Sequence, residues 1–158
     1  MATRRGMVDP KTRARDHASM SEYRAPRDVI CAWVDAFNRR DADAASALYH
    51  PDAVNTQFAA GGPVSGRGAI RDGLAEFFRA FPDSFTRTEN LVVEGEWAAL
   101  EWSGGATWRA AFAGHPPNGR SFTLRGCGFF RIVNGLIVEQ RGYWDRATWF
   151  GQLGIPLE

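Results

Sequence analysis

Two carboxylates in this chain could take up a proton if the fold delivers them to an interior site. Asp145 follows a run of alternating residues and precedes Arg146-Ala147-Thr148. At the start of a helix such an Asp accepts backbone N–H bonds as an N-cap. At a pocket mouth it would instead be a displaced general base. Glu101 lies in a central strand pattern. Facing inward it would be a buried acid with a raised pKa; facing outward it would meet solvent or an arginine. Its neighbour is Trp102, and strand alternation lets only one of the two face inward. Arg109 could hold an acidic ligand or join an ion pair on the outer face.

His17, His50 and His115 are scattered, and the last two fall in turn segments. Cys31 and Cys127 fit neither a disulfide framework nor a metal-ligand spacing. The expectation is therefore no metal and no other cofactor, and two free thiols suit the cytoplasm.

The elements that must position these groups can be read along the chain. Residues 1–25 are polar and basic, without an apolar stretch, and read as a flexible tail rather than a secretory signal. Residues 26–158 read as one domain. Pro26 opens a helix in which Val29, Ile30, Trp33, Val34 and Phe37 recur at helical spacing. Asp41 is placed to cap a short helix from Ala42 to Tyr49. A strand over Ala53–Phe58, a Gly/Pro-rich loop and a helix over Ala69–Phe81 follow. Four strands come next, near Ser84–Glu94, Trp97–Ala113, Arg120–Val133 and Leu136–Tyr143. Gly104-Gly105 inside the second suggests a bulge or bend. Asn134-Gly135 between the last two predicts a tight hairpin, because both residues tolerate positive φ. Helices first and strands after imply an α+β fold in which a curved antiparallel sheet wraps the N-terminal helices.

Composition bounds the function. The 158 residues carry a formal net charge of +1, so no general attraction to nucleic acid or membrane follows. No apolar run approaches membrane-helix length. Six Trp and eleven Phe are a heavy aromatic load, suited to a large core or to an aromatic-lined pocket.

Four segments, in order and at matching spacing, resemble the SnoaL-like polyketide cyclases of the nuclear-transport-factor-2-like superfamily. They are Ala36-Phe37-Asn38 followed by Asp41 and Leu48-Tyr49-His50-Pro51-Asp52-Ala53; Gly66-Arg67-Gly68-Ala69-Ile70; the turn from Phe112 to Arg120; and the Asn-Gly hairpin with its Gln152-Leu153-Gly154 terminus. The resemblance runs from about Asp28 to Pro156. It implies a cone-shaped fold with an internal pocket, and in the cyclases a His and an Asp flanking the hairpin. Here those positions are Gly128 and Gly142. The related epoxide hydrolases and ketosteroid isomerases fare no better. One pattern keeps Arg109 but finds Ala111 and Gly142 for its two Asp. The other finds Trp33 and Gln57 for its Tyr and Asp, and neither side chain can replace them.

If 128 and 142 face inward, so do Leu124, Gly126 and Phe130 on one strand and Val138, Gln140 and Trp144 on the next. The glycines would widen the cavity, curve the sheet, or both. The expected ligand contacts are Trp33, Asn55, Gln57, Phe130, Gln140 and Trp144, with Asp145 and Glu101 the candidate catalytic groups. The resemblance implies a hydrophobic carbonyl compound as ligand and a homodimer formed through the outer sheet face. Three readings remain open: an enzyme using rearranged groups or an ordered water, a binding protein that lost its catalyst, and a dimerisation module.

Overall fold

The computed structural model describes residues 23–157. Apart from residues 23–25, the basic tail lies outside the described residues, as does His17. Helix α1 spans Pro26–Asn38, with Pro26 in its first turn and Val29, Ile30 and Ala36 buried. Asp41 caps α2 (Ala42–Ser46) by accepting the Ala44 N–H at 2.9 Å. Strand β1 (Tyr49–Gln57) leads through the two-residue β2 (Val64–Ser65) to α3, Arg67–Ala80. Four strands follow: β3 (Phe85–Glu94), β4 (Trp97–Thr107), β5 (Ser121–Val133) and β6 (Leu136–Trp144). Helix α4 is Arg146–Leu153.

The six strands form one curved, unclosed sheet in the order β2-β1-β6-β5-β4-β3. The β5–β6 turn is the expected hairpin, with φ of 50° at Asn134 and 73° at Gly135. Helices α1 and α3 cover one face of the sheet, the inner face, where Val29, Ile30 and Ile70 pack on Leu100, Phe130, Ile132 and Ile137. A second cluster gathers Phe81, Trp108, Phe122, Trp149 and Leu153. Trp102 touches both.

Four local expectations need correction. The sheet is not wholly antiparallel: β1 runs parallel to β6. The short helix ends at Ser46 and the strand begins at Tyr49, because the residue before Pro51 is held extended. Gly104 and Gly105 pair without a bulge. They are needed because a Cβ at either would lie 2.5 Å from the Phe85 carbonyl oxygen or 2.4 Å from that of Phe122. Finally, the β5–β6 register shifts between Arg131 and Ile132, so Ile137 rather than Val138 enters the core.

Two side-chain amides act as short strands at open sheet edges. Asn38, at the end of α1, donates to the Thr86 carbonyl at 2.9 Å and accepts the Thr86 N–H at 2.8 Å. Gln152 in α4 does the same at Thr123, with both bonds at 2.9 Å. An amide reproduces the donor–acceptor pair of a peptide group, so each bond pair pins a helix to a strand that has no neighbour there.

Candidate functional site

The site is built from alternate residues of β1, β4, β5 and β6, with α1 above them. Gly128 and Gly142 do face inward, and they are direct partners across the β5–β6 pair. The space they release is not left open. A Cβ at Gly128 would lie 2.8 Å from the Phe130 ring, and one at Gly142 would lie 1.9 Å from Gln57 Oε1. At Gly126 the Trp102 indole comes within 2.5 Å of such an atom. The glycines therefore seat the large side chains beside them: Trp102 opposite Gly126, Gln57 opposite Gly142 and Phe130 leaning along its own strand.

Two hydrogen-bonded chains cross this face. In the first, Trp33 Nε1 donates to the Tyr49 hydroxyl at 2.9 Å, and Tyr49 makes a short hydrogen bond to Gln140 Oε1. Tyr49 and Gln140 are both buried, at 0% and 6% exposure. Burial pushes the Tyr49 phenol well above its ordinary pKa, the Trp33 bond pulling weakly the other way, so it stays protonated. In the second chain, Trp144 Nε1 donates to Gln57 Oε1 at 3.0 Å, and Gln57 Nε2 donates to Asn55 Oδ1 at 2.8 Å. The surroundings are aromatic. Trp33 stacks on Phe37 with centroids 5.4 Å apart and meets Phe130 at 5.7 Å, while Trp144 meets Trp149 edge-on at 5.2 Å. Trp33, Phe37, Asn55, Gln57, Phe77, Trp102 and Trp144 on this face are half-buried rather than sealed.

The six expected ligand contacts thus come together. The two candidate catalytic groups do not join them. Trp102 takes the inner side of β4, so Glu101 faces out, accepting from Asn90 at 2.7 Å and pairing with Arg125 at 3.4 Å. Asp145 is the N-cap of α4, accepting from Ala147 N at 2.9 Å and the Thr148 hydroxyl at 2.5 Å. These bonds, that of Thr148 foremost, hold its carboxyl below the usual aspartate range. It borders a groove of about 500 Å³ with Arg87, Ser103 and Arg125, away from both chains. Arg109 is exposed as well.

No Asp or Glu among the described residues is buried. The three half-buried ones, Asp41, Glu101 and Glu139, cap α2 or pair with arginines. His50 accepts from its neighbour Asp52 N, and His115 closes a local bridge with Phe112. No cluster of three or more His, Cys, Asp or Glu side chains fit to hold a metal occurs among the described residues. No helix there is long and apolar enough to cross a membrane. The indole, phenol and amide groups of this face can donate hydrogen bonds, and its rings can stack on flat apolar groups, but none of these side chains takes up a proton near neutrality.

Sequence reasoning missed Tyr49, the centre of the first chain, by assigning it to a helix. Pro51 was the available signal, since it favours extended backbone just before it.

A family model described as SnoaL-like polyketide cyclase matches residues 27–153. The chain belongs to that family. Among solved structures it is similar to wild-type IdmH from Streptomyces antibioticus, a proposed polyketide cyclase. Their identity is 29% and the TM-score 0.69, over 84% of this chain and 100% of that one. It is similar in fold to AclR from Streptomyces galilaeus, a proposed hydroxylase (23%, TM-score 0.73, 83% and 97%). The same holds for a protein of ketosteroid isomerase-like fold from Catenulispora acidiphila, solved with trimethylamine (19%, TM-score 0.70, 81% and 93%). No curated protein matches the sequence.

Proposed function

We propose that this SnoaL-like protein binds a hydrophobic, carbonyl-containing small molecule in the cleft between α1 and the inner sheet face. On this reading the family's side-chain acid–base pair is gone and recognition is what remains. The observation that carries it is the make-up of that face: indole, phenol and amide groups among aromatic rings, with Gly128 and Gly142 where a His and an Asp are expected. Flat apolar ligands gain from aromatic contact, and a few neutral polar groups fix their orientation. The enzyme reading would need an ordered water held by Asn55, Gln57 and Gln140 to move the proton.

Native mass spectrometry of the protein from its own source tests the proposal. Bound mass that disappears on denaturation, and that quenches the fluorescence of Trp33, Trp102 and Trp144 when added back, is the expected result. A bare protein whose fluorescence no aromatic ketone alters would refute it. Turnover of the released compound would favour the enzyme reading.

A homodimer through the outer sheet face is a second proposal. It rests on Phe58, Phe129 and Tyr143, which stay 54%, 39% and 43% exposed while Tyr143 stacks on Phe58 and meets Phe129 edge-on. Sedimentation of wild type against Phe129→Glu decides it, with dissociation of the variant expected. The two free thiols suit a reducing compartment, and the cytoplasm is the location we propose.

A further inference from the structure

We infer that Asn55 and Gln140 form a two-donor seat for one oxygen atom of the ligand, so that the cleft selects a ketone or enolate oxygen over a hydroxyl. The inference rests on the binding reading above and deepens it.

An indole N–H can only donate. Trp33 donates to the Tyr49 oxygen, and the buried phenol's single proton is paired by donating to its other partner, Gln140. Gln140 therefore turns its carbonyl to Tyr49 and its NH2 group away. That NH2 has no protein partner among the described residues, although Gln140 is only 6% exposed. The second chain has the same polarity. Trp144 fixes Gln57 Oε1 as the acceptor, which leaves Gln57 Nε2 to donate to Asn55 Oδ1. The NH2 group of Asn55 is then also turned away and has no protein partner among the described residues. Flipping Gln57 or Asn55 would set donor against donor, and flipping Gln140 would leave the buried Tyr49 proton without a partner. The assignment thus follows from the two indole donors and the one buried phenol proton.

Asn55 and Gln140 are register partners in the parallel β1–β6 pair. Their side chains leave the same face from backbones about 4.8 Å apart. Two amide donors so placed suit the two lone pairs of one oxygen and stabilise negative charge that builds on it. A ligand hydroxyl would have to accept both bonds and leave its own proton without a partner. The high pKa of Tyr49 keeps the first chain in this polarity through neutral and mildly alkaline pH.

The test uses the full chain and a matched pair of probes, 2-acetylnaphthalene and 1-(2-naphthyl)ethanol, with affinity read from tryptophan fluorescence. The ketone should bind about tenfold more tightly than the alcohol. The near-isosteric variants Asn55→Asp and Gln140→Glu, which replace donors by acceptors, should abolish or reverse that preference while far-ultraviolet circular dichroism stays unchanged. In the wild-type protein the side-chain NH2 resonances of Asn55 and Gln140 should shift with the ketone and not with the alcohol, a readout independent of variant folding. Equal binding of both probes, with those resonances unmoved, would overturn the inference and leave the binding reading intact. Binding of neither probe would overturn both.

Discussion

Strands β5 and β6 carry two different chemistries on alternate residues. Outward lie Arg125 with Glu101, Arg131 with Glu96 at 3.0 Å, and Arg141 beside Glu139 at 3.4 Å, off-line for a hydrogen bond. Arg141 also lies over the Trp97 ring at 4.9 Å. Inward lie Gly126, Gly128, Phe130, Gln140, Gly142 and Trp144, none of them ionisable. The pairs of Arg125 and Arg131 are largely exposed, where each contributes little. The inner groups are few and neutral, but an unpaired partner there stays unpaired in a poorly solvated place. The number of polar contacts is therefore a poor guide to which face matters. What each group would face if its partner were removed decides it.

The largest test of that contrast is Gly126→Ala beside Cys127→Ala. A Cβ at 126 meets the Tyr143 carbonyl oxygen at 2.7 Å as well as the Trp102 ring, and the backbone cannot retreat. We expect a loss of about 3 kcal/mol on denaturant unfolding, against little change for the outward Cys127. Equal losses would erase the distinction between faces. Next is Tyr49→Phe, which strands the Trp33 N–H and the Gln140 carbonyl; about 2 kcal/mol should be lost. In the wild type, ketone affinity should be flat from about pH 6 to 9, because burial keeps the Tyr49 phenol above that window. A titration midpoint inside it would mean that an ionisable group reaches the cleft.

A smaller effect belongs to Asp145. Its folded pKa is lowered, with the Thr148 bond the leading cause. Its contribution to stability is thus present above the ordinary value of 3.8 and fades as pH falls through the folded value. Thermal melts of wild type and Asp145→Ala should differ near neutrality and converge in acid. A gap that persists at the lowest pH would point to a role other than the charged cap. The smallest effect is Glu101→Gln. Stability should change by less than about 0.5 kcal/mol and ketone affinity not at all. A tenfold change in affinity would place Glu101 in the cleft after all.

Much of the fold was legible because local chemistry and tertiary need coincide. Asn134-Gly135 has no easier conformation than the hairpin turn, Asp41 and Asp145 cap as their positions imply, and alternation along β5 alone orients Leu124, Gly126, Gly128 and Phe130. The illegible parts depend on partners. Extending the alternation across the hairpin failed at Val138, because a register shift belongs to a strand pair and not to either strand. The parallel joining of β1 to β6 has no local cause. In the site, alternation left Glu101 and Trp102 as equal candidates for the inner side. The glycine at 126 decides between them, since it alone makes room for an indole across the strand. Tyr49 was hidden by a helical pattern that stops one turn sooner than its alanines suggest.

The amide clasps of Asn38 and Gln152 have a consequence for how motions of this protein can be watched. The N–H groups of Thr86 and Thr123 are shielded by a helix side chain rather than by a neighbouring strand. Each is freed whenever its helix lifts, even while the sheet stays closed. In deuterated solvent, Thr86 would time the undocking of α1 and Thr123 that of α4, apart from the slower global opening that exposes the central strands.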